Sequence, residues 1–263
     1  MESPLAKIMP ATTDAIAYAA QVLREGGLVA FPTETIYGLG ADARNGKAVA
    51  GIFAAKGRPR FNPLIVHVRD LAEAETHAVF SDTARKLAEI FWPGALTLVL
   101  PRRPHTPLSE LVSAGLDTVA LRVPAHPVAL ALLQKADLPI AAPSANPSGR
   151  ISPTMAVHVA AGLGRNVDLI LDGGATPLGL ESTVIGFDGD RAVLLRPGAI
   201  ARQAIESIAG PLADAGAAIR SPGQLESHYA PNATLRLNAR EKESGELLLG
   251  FGPSSPDAKL NLS

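Results

Sequence analysis

The sequence predicts an α/β protein. Residues 1–208 read as one domain with a mixed, twisted sheet and flanking helices, 209–245 as a linker, and 246–263 as the start of a second domain. Three observations carry this expectation. Amphipathic helical spacing and short apolar strand runs are intermixed along the first domain, with neither a clean βα alternation nor a run of hairpins. The 263 residues, 47% of them hydrophobic, suffice for one large core and a smaller piece. The texture then changes at Gly210, after which Pro211, Pro222, Gly223 and Pro231 interrupt any period.

Taken in order, Thr13 to Gly27 sets Ile16, Ala19, Ala20 and Leu23 on one helical face, with Thr13 or Asp14 as cap and Gly26-Gly27 as stop. Leu28 to Phe31 is a short apolar strand ending at Pro32. Asn45 to Lys56 reads as helix, Leu64 to Val68 as strand, Asp82 to Phe91 as helix and Ala95 to Leu100 as strand. Thr118 to Val123, Leu138 to Ala142 and Val167 to Leu171 are further buried strands, with helices at Val128 to Lys135 and Thr154 to Ala161 between them. Ser182 to Phe187 and Arg191 to Leu195 form a hairpin around Asp188-Gly189. Beyond the linker, Glu246 to Phe251 reads as the first strand of something new.

Composition removes several classes of function. With 24 Lys+Arg against 25 Asp+Glu, the formal charge of -1 argues against a general nucleic-acid coat but not against a local basic pocket. Zero cysteines exclude a disulfide scaffold, a thiolate zinc site and a cysteine nucleophile, and they fit a reducing cytosol. No 18-residue uncharged apolar run suggests a membrane span, and Met1 to Pro10 has no apolar signal segment, so a cytoplasmic setting without a membrane partner is expected. There is no G-x-x-x-x-G-K-[ST] loop, no H-E-x-x-H and no G-x-S-x-G, and the six histidines lack ligand spacing.

The polar residues that stand out sit where strands end. Phe31-Pro32-Thr33-Glu34-Thr35-Ile36-Tyr37-Gly38 places hydroxyls and a carboxylate directly after a buried strand, which is either a capped turn or a site. Lys56-Gly57-Arg58-Pro59-Arg60-Phe61-Asn62-Pro63 gathers three cations on a stretch stiffened by proline, suited to a polyphosphate or to a solvated loop. Arg122 lies inside an apolar strand, where it must meet water, a substrate anion or a salt-bridge partner. The run from Ala142 through Ser144 and Asn146 to Gly149 ends another strand in small hydroxyl and amide groups, as a turn or a phosphate or nucleoside site would. Glu181-Ser182-Thr183 and Arg196-Pro197-Gly198 add more. Several cations and hydroxyls without a clear nucleophile favour anion binding and electrostatic catalysis.

The strings FPTETIYGLGADA, KGRPRFNPLIVHV, LRVP, APSANPSG, ESTVI and LRPGAI resemble the YrdC-like L-threonylcarbamoyladenylate synthases, in the family's order over about residues 12–205. SPGQLESHYAP, from Ser221 to Pro231, is similar to the linker of the long family members, which continue into a Rossmann-like domain; here the chain ends at Ser263. The resemblance implies an open, twisted YrdC-like fold and a reaction in which L-threonine, bicarbonate or CO₂ and ATP, with Mg²⁺ on the phosphates, give threonylcarbamoyl-AMP and pyrophosphate. Partner proteins would then carry the threonylcarbamoyl group to tRNA. On this resemblance Thr35, His67, Arg122, Ala142 and Ser182 would contact threonine. Lys56, Arg58, Asn62, Thr118, Ser144, Asn146, Ser152 and Arg196 would contact ATP, Lys56 and Arg58 acting as the electrostatic catalysts, and His228, Tyr229 and Asn232 would close over it.

Two rival readings remain. The related carbamoyl-transfer domain of hydrogenase maturation proteins would come with cysteine-zinc modules, which a cysteine-free chain lacks. An RNA-binding module would have to rely on a local patch, because residues 1–200 hold 18 Lys+Arg and 18 Asp+Glu, a difference of zero.

Overall fold

The computed structural model describes residues 7–59, 61–214, 235–239, 241–250 and 260–261. The chain divides into two compact units, Met1–Ala230 and Pro231–Ser263.

The first unit opens with β1 (Lys7–Pro10) and α1 (Thr13–Arg24). Thr12, still extended, caps α1 by accepting the Ala15 N–H at 3.3 Å, so the cap falls one residue before the expected Thr13 or Asp14. β2 (Val29–Pro32) and β3 (Tyr37–Asp42) pair antiparallel around the threonine-rich turn. α2 (Gly46–Lys56) follows, capped by Asn45 Oδ1, which accepts from the N–H groups of Lys47 and Ala48, and it ends on Gly57 in the left-handed region.

Next come β4 (Ile65–His67), α3 (Leu71–His77), α4 (Asp82–Phe91), β5 (Leu96–Pro101), α5 (Glu110–Ser113) and β6 (Thr118–Arg122). They lead into α6 (Pro127–Ala136), β7 (Ile140–Ala141), α7 (Ala156–Leu163) and β8 (Leu169–Asp172). The expected hairpin is β9 (Thr183–Asp188) with β10 (Arg191–Arg196), turning at Gly189, and α8 (Arg202–Ala209) and β11 (Ala213–Asp214) complete the unit. In the second unit β12 (Leu249–Gly250) pairs parallel with β13 (Leu260–Asn261). β12 lies within the strand expected at Glu246 to Phe251, of which Phe251 is outside the described residues.

The mixed sheet is present, in the order β1-β8-β2-β3-β7-β4-β6-β5-β9-β10-β11. Its pairings are half parallel (β1/β8, β2/β8, β4/β6, β5/β9, β10/β11) and half antiparallel. Strand alternation sorts side chains onto two faces. Ala30, Val66, Leu98 and Leu121 join the main core with α2, α4 and α7. On the other face, Val29, Phe31, Ile140 and Leu169 pack with α1 and α6. Farther along that second face, Ile65, Val99, Ala120, Val184, Val193 and Leu195 form a third cluster to which the described residues contribute no helix.

Candidate active site

His67, Thr97 and Arg122 share strand parity with Ile65, Val99 and Ala120, so they stand on the same face as the third cluster. His67 is the in-register partner of Arg122 across the parallel β4/β6 pair. The turn between β2 and β3 brings hydroxyls to the same place. Thr33 Oγ1 donates to the Ile36 carbonyl at 2.7 Å and lies 2.8 Å from Thr35 Oγ1. With its one proton spent, Thr33 accepts from Thr35, and Thr35 Oγ1 in turn accepts from Arg122 Nη1 at 3.0 Å.

Arg122 is 3% exposed, and burial lowers its pKa while Glu34 opposes the shift. Its Nε donates to the Gly94 carbonyl and its Nη2 to Glu34 Oε1, while Glu34 Oε2 accepts from Ala125 N. One proton on each Nη is left over from the five. Of the environments open to Arg122, the salt bridge is present, and the guanidinium still lines the cavity. His67 is buried with its ring perpendicular to that of Phe31, centroids 6.2 Å apart, and its buried Nδ1 has no hydrogen-bond partner. Burial and Arg122 push its pKa down to about 3, so the imidazole is neutral.

On the other side, Arg196 Nη2 donates to the carbonyl and hydroxyl of Ser182, whose Oγ also lies 2.8 Å from Thr97 Oγ1. Glu181 Oε2 is 3.8 Å from Arg196, and Glu181 Oε1 accepts from Ser152 Oγ. Arg58 donates to the carbonyls of Asn62 and Pro63. Lys56 is buried and donates to the carbonyls of Ser144 and Asn146, which binds the end of α2 to the loop after β7. Burial, with Arg58 nearby, pushes the Lys56 ammonium down to about 7.

Thr35, Arg58, His67, Arg122, Ala142, Ser144, Ser182 and Arg196 line one cavity, together with Thr33, Ile36, Gly38, Ile65, Pro143 and Glu181. Three guanidinium groups against one lining carboxylate make it cationic. Lys56 and Asn146 sit behind its wall, and Asn62 is buried with both side-chain polar atoms unpartnered. Ser152 lies on an adjoining concavity with Ile36, Ile151, Leu180 and Glu181. Thr118 is elsewhere, in a depression with Val99, Gly186, Val193 and Leu195. His228, Tyr229 and Asn232 lie outside the described residues. Thr97 was not singled out from the sequence. The signal for Thr97 was available: it is the one hydroxyl in the apolar run Leu96 to Leu100.

The family model for Sua5, YciO and YrdC, described as "Telomere recombination", matches residues 21–198, and "Threonylcarbamoyl-AMP synthase, C-terminal domain" matches residues 200–258. The chain is 52% identical over 229 residues to a threonylcarbamoyl-AMP synthase of Bacillus subtilis, covering 84% of this chain and 66% of that protein. A protein of the same name from Pyrococcus abyssi is 44% identical over 92% of this chain and 78% of its own length. The crystal structure of P. abyssi Sua5 complexed with L-threonine superposes with a TM-score of 0.85 at 42% identity, covering 98% of this chain and 82% of that one.

Proposed function

The chain belongs to the Sua5/YciO/YrdC family, and on that premise we propose that it makes threonylcarbamoyl-AMP from L-threonine, bicarbonate or CO₂ and ATP, releasing pyrophosphate. The observation that carries this reading is the single cavity in which Arg58, Arg122 and Arg196 converge with the hydroxyls of Thr35, Ser144 and Ser182. The threonine complex of the P. abyssi relative supports the amino-acid half.

The reaction needs two anionic partners side by side. Arg122, with a proton left on each Nη, would take the threonine carboxylate in a bidentate pair, and Thr35 and Ser182 would fix the rest of the amino acid. The threonine amine adds to CO₂ and gives up protons to form a carbamate. A carbamate oxygen then attacks the α-phosphorus and pyrophosphate leaves. Charge on the phosphates would be met by Arg58 and Arg196, with Lys56 fixing the Ser144 and Asn146 loop beside them. Mg²⁺ would arrive on the ATP phosphates. Among the described residues no three His, Asp or Glu side chains gather to hold it, and no step is assigned to it. The adjoining concavity, edged by exposed Ile151 and Leu180, would receive the nucleoside. The product would pass, in the cytoplasm, to proteins that modify tRNA.

Pyrophosphate release is the test. It should require ATP, L-threonine and bicarbonate together, and equal release without threonine would sink the reading.

A further inference from the structure

The sheet face that carries the third cluster sets two rows of side chains next to each other. Arg122 and His67 are in-register partners in one row; Ala120 and Ile65 are in-register partners in the next. The first row is charged and polar. The second is apolar and continues into Val99. Ile65 and Arg122 line the same cavity, so an amino acid anchored at Arg122 meets both rows. Threonine carries a hydroxyl and a methyl on one carbon and needs neighbours of opposite character around it. A hydroxyl partner is present in Ser182 Oγ, and the His67 imidazole lines the same cavity. Two large apolar side chains line the cavity, Ile65 and Ile36. Ile36 also forms the wall of the adjoining concavity with Ile151 and Leu180, whereas Ile65 rests on the apolar row.

We propose that Ile65 takes the γ-methyl of threonine and sets this chain's discrimination against serine. The inference rests on threonine being the substrate. A missing methyl in an apolar slot is worth roughly 10–200-fold in kcat/KM. L-allo-threonine, which exchanges methyl and hydroxyl, would drive its hydroxyl against Ile65 and be rejected as well.

The test compares pyrophosphate release with L-threonine, L-serine and L-allo-threonine for the wild-type chain, Ile65→Val, Ile65→Ala and Ile36→Ala. Wild type should prefer threonine to serine by roughly 10-fold or more. Ile65→Ala should lower kcat/KM for threonine by about that factor while serine stays nearly unchanged, so the ratio approaches one. Ile65→Val should move it part of the way and decides the matter if Ile65→Ala does not fold. Ile36→Ala should alter KM for ATP and leave the threonine-to-serine ratio alone. A ratio unchanged in a folded Ile65 variant, or shifted equally by Ile36→Ala, overturns the inference while threonine-dependent turnover stands. Threonine-independent release by the wild type overturns the functional reading and this inference with it.

Discussion

His67 couples the cavity to the stability of the fold. Its pKa is about 3 in the folded chain against an ordinary 6.5, because burial and the Arg122 charge both oppose protonation. Below pH 6.5 the unfolded chain binds a proton that the folded chain refuses until about pH 3. The contribution is therefore fully present above 6.5 and is lost as pH falls through that window, by about 1.4 kcal/mol per pH unit. Unfolding free energies from urea titrations across the window should fall more steeply with falling pH in the wild type than in His67→Gln. A variant that kept the full slope would place the proton uptake at another group. At this scale much was legible in the sequence. A cation in the apolar strand of Arg122 and hydroxyls at strand ends announce themselves. The partner of Arg122 does not, since Glu34 lies 88 positions away and only the β2/β3 turn and β6 register bring them together.

Between Lys56 and Arg58, the end of α2 turns on Gly57 at φ +58°, so the two cations leave the helix in different directions. One reaches the Ser144 and Asn146 carbonyls while the other lines the cavity. An added Cβ at Gly57 meets no atom within 4 Å, so only backbone strain opposes Gly57→Ala. That variant should lose about 1 kcal/mol in chemical denaturation and retain its secondary structure by circular dichroism. A loss near zero would mean that the turn relaxes. Helix and strand positions with clear periods, such as α4 and the β9/β10 hairpin, could be read from the sequence. β3 could not. Its Tyr-Gly-Leu-Gly-Ala-Asp sequence has no β-branched residue, and its glycines answer to tertiary contacts: a Cβ at Gly40 would fall 2.8 Å from Phe31 and Ile140. α3 and α5, at seven and four residues, were too short for a helical period to stand out.

Across the whole chain a formal charge of -1 conceals a cationic cavity. On the proposed function, the field that would draw ATP is local and screened by salt. Initial rates at rising monovalent salt should show KM for ATP increasing several-fold while KM for zwitterionic threonine changes little; parallel increases would argue against separate handling of the two substrates. Strand order is the least legible feature, because β4 finds β6 and β7, and β5 finds β9, across long intervals that no local period encodes. The cavity depends on that pairing more strictly than the core does. If β4 slipped by one residue against β6, His67 and Ile65 would turn into the helix-covered layer and Val66 would face the opening. Such a chain would still look folded by its helix content and its burial of apolar surface, yet it would be inert. Specific activity, unlike helix content, would thus tell correctly registered molecules from sheets joined one residue out of step.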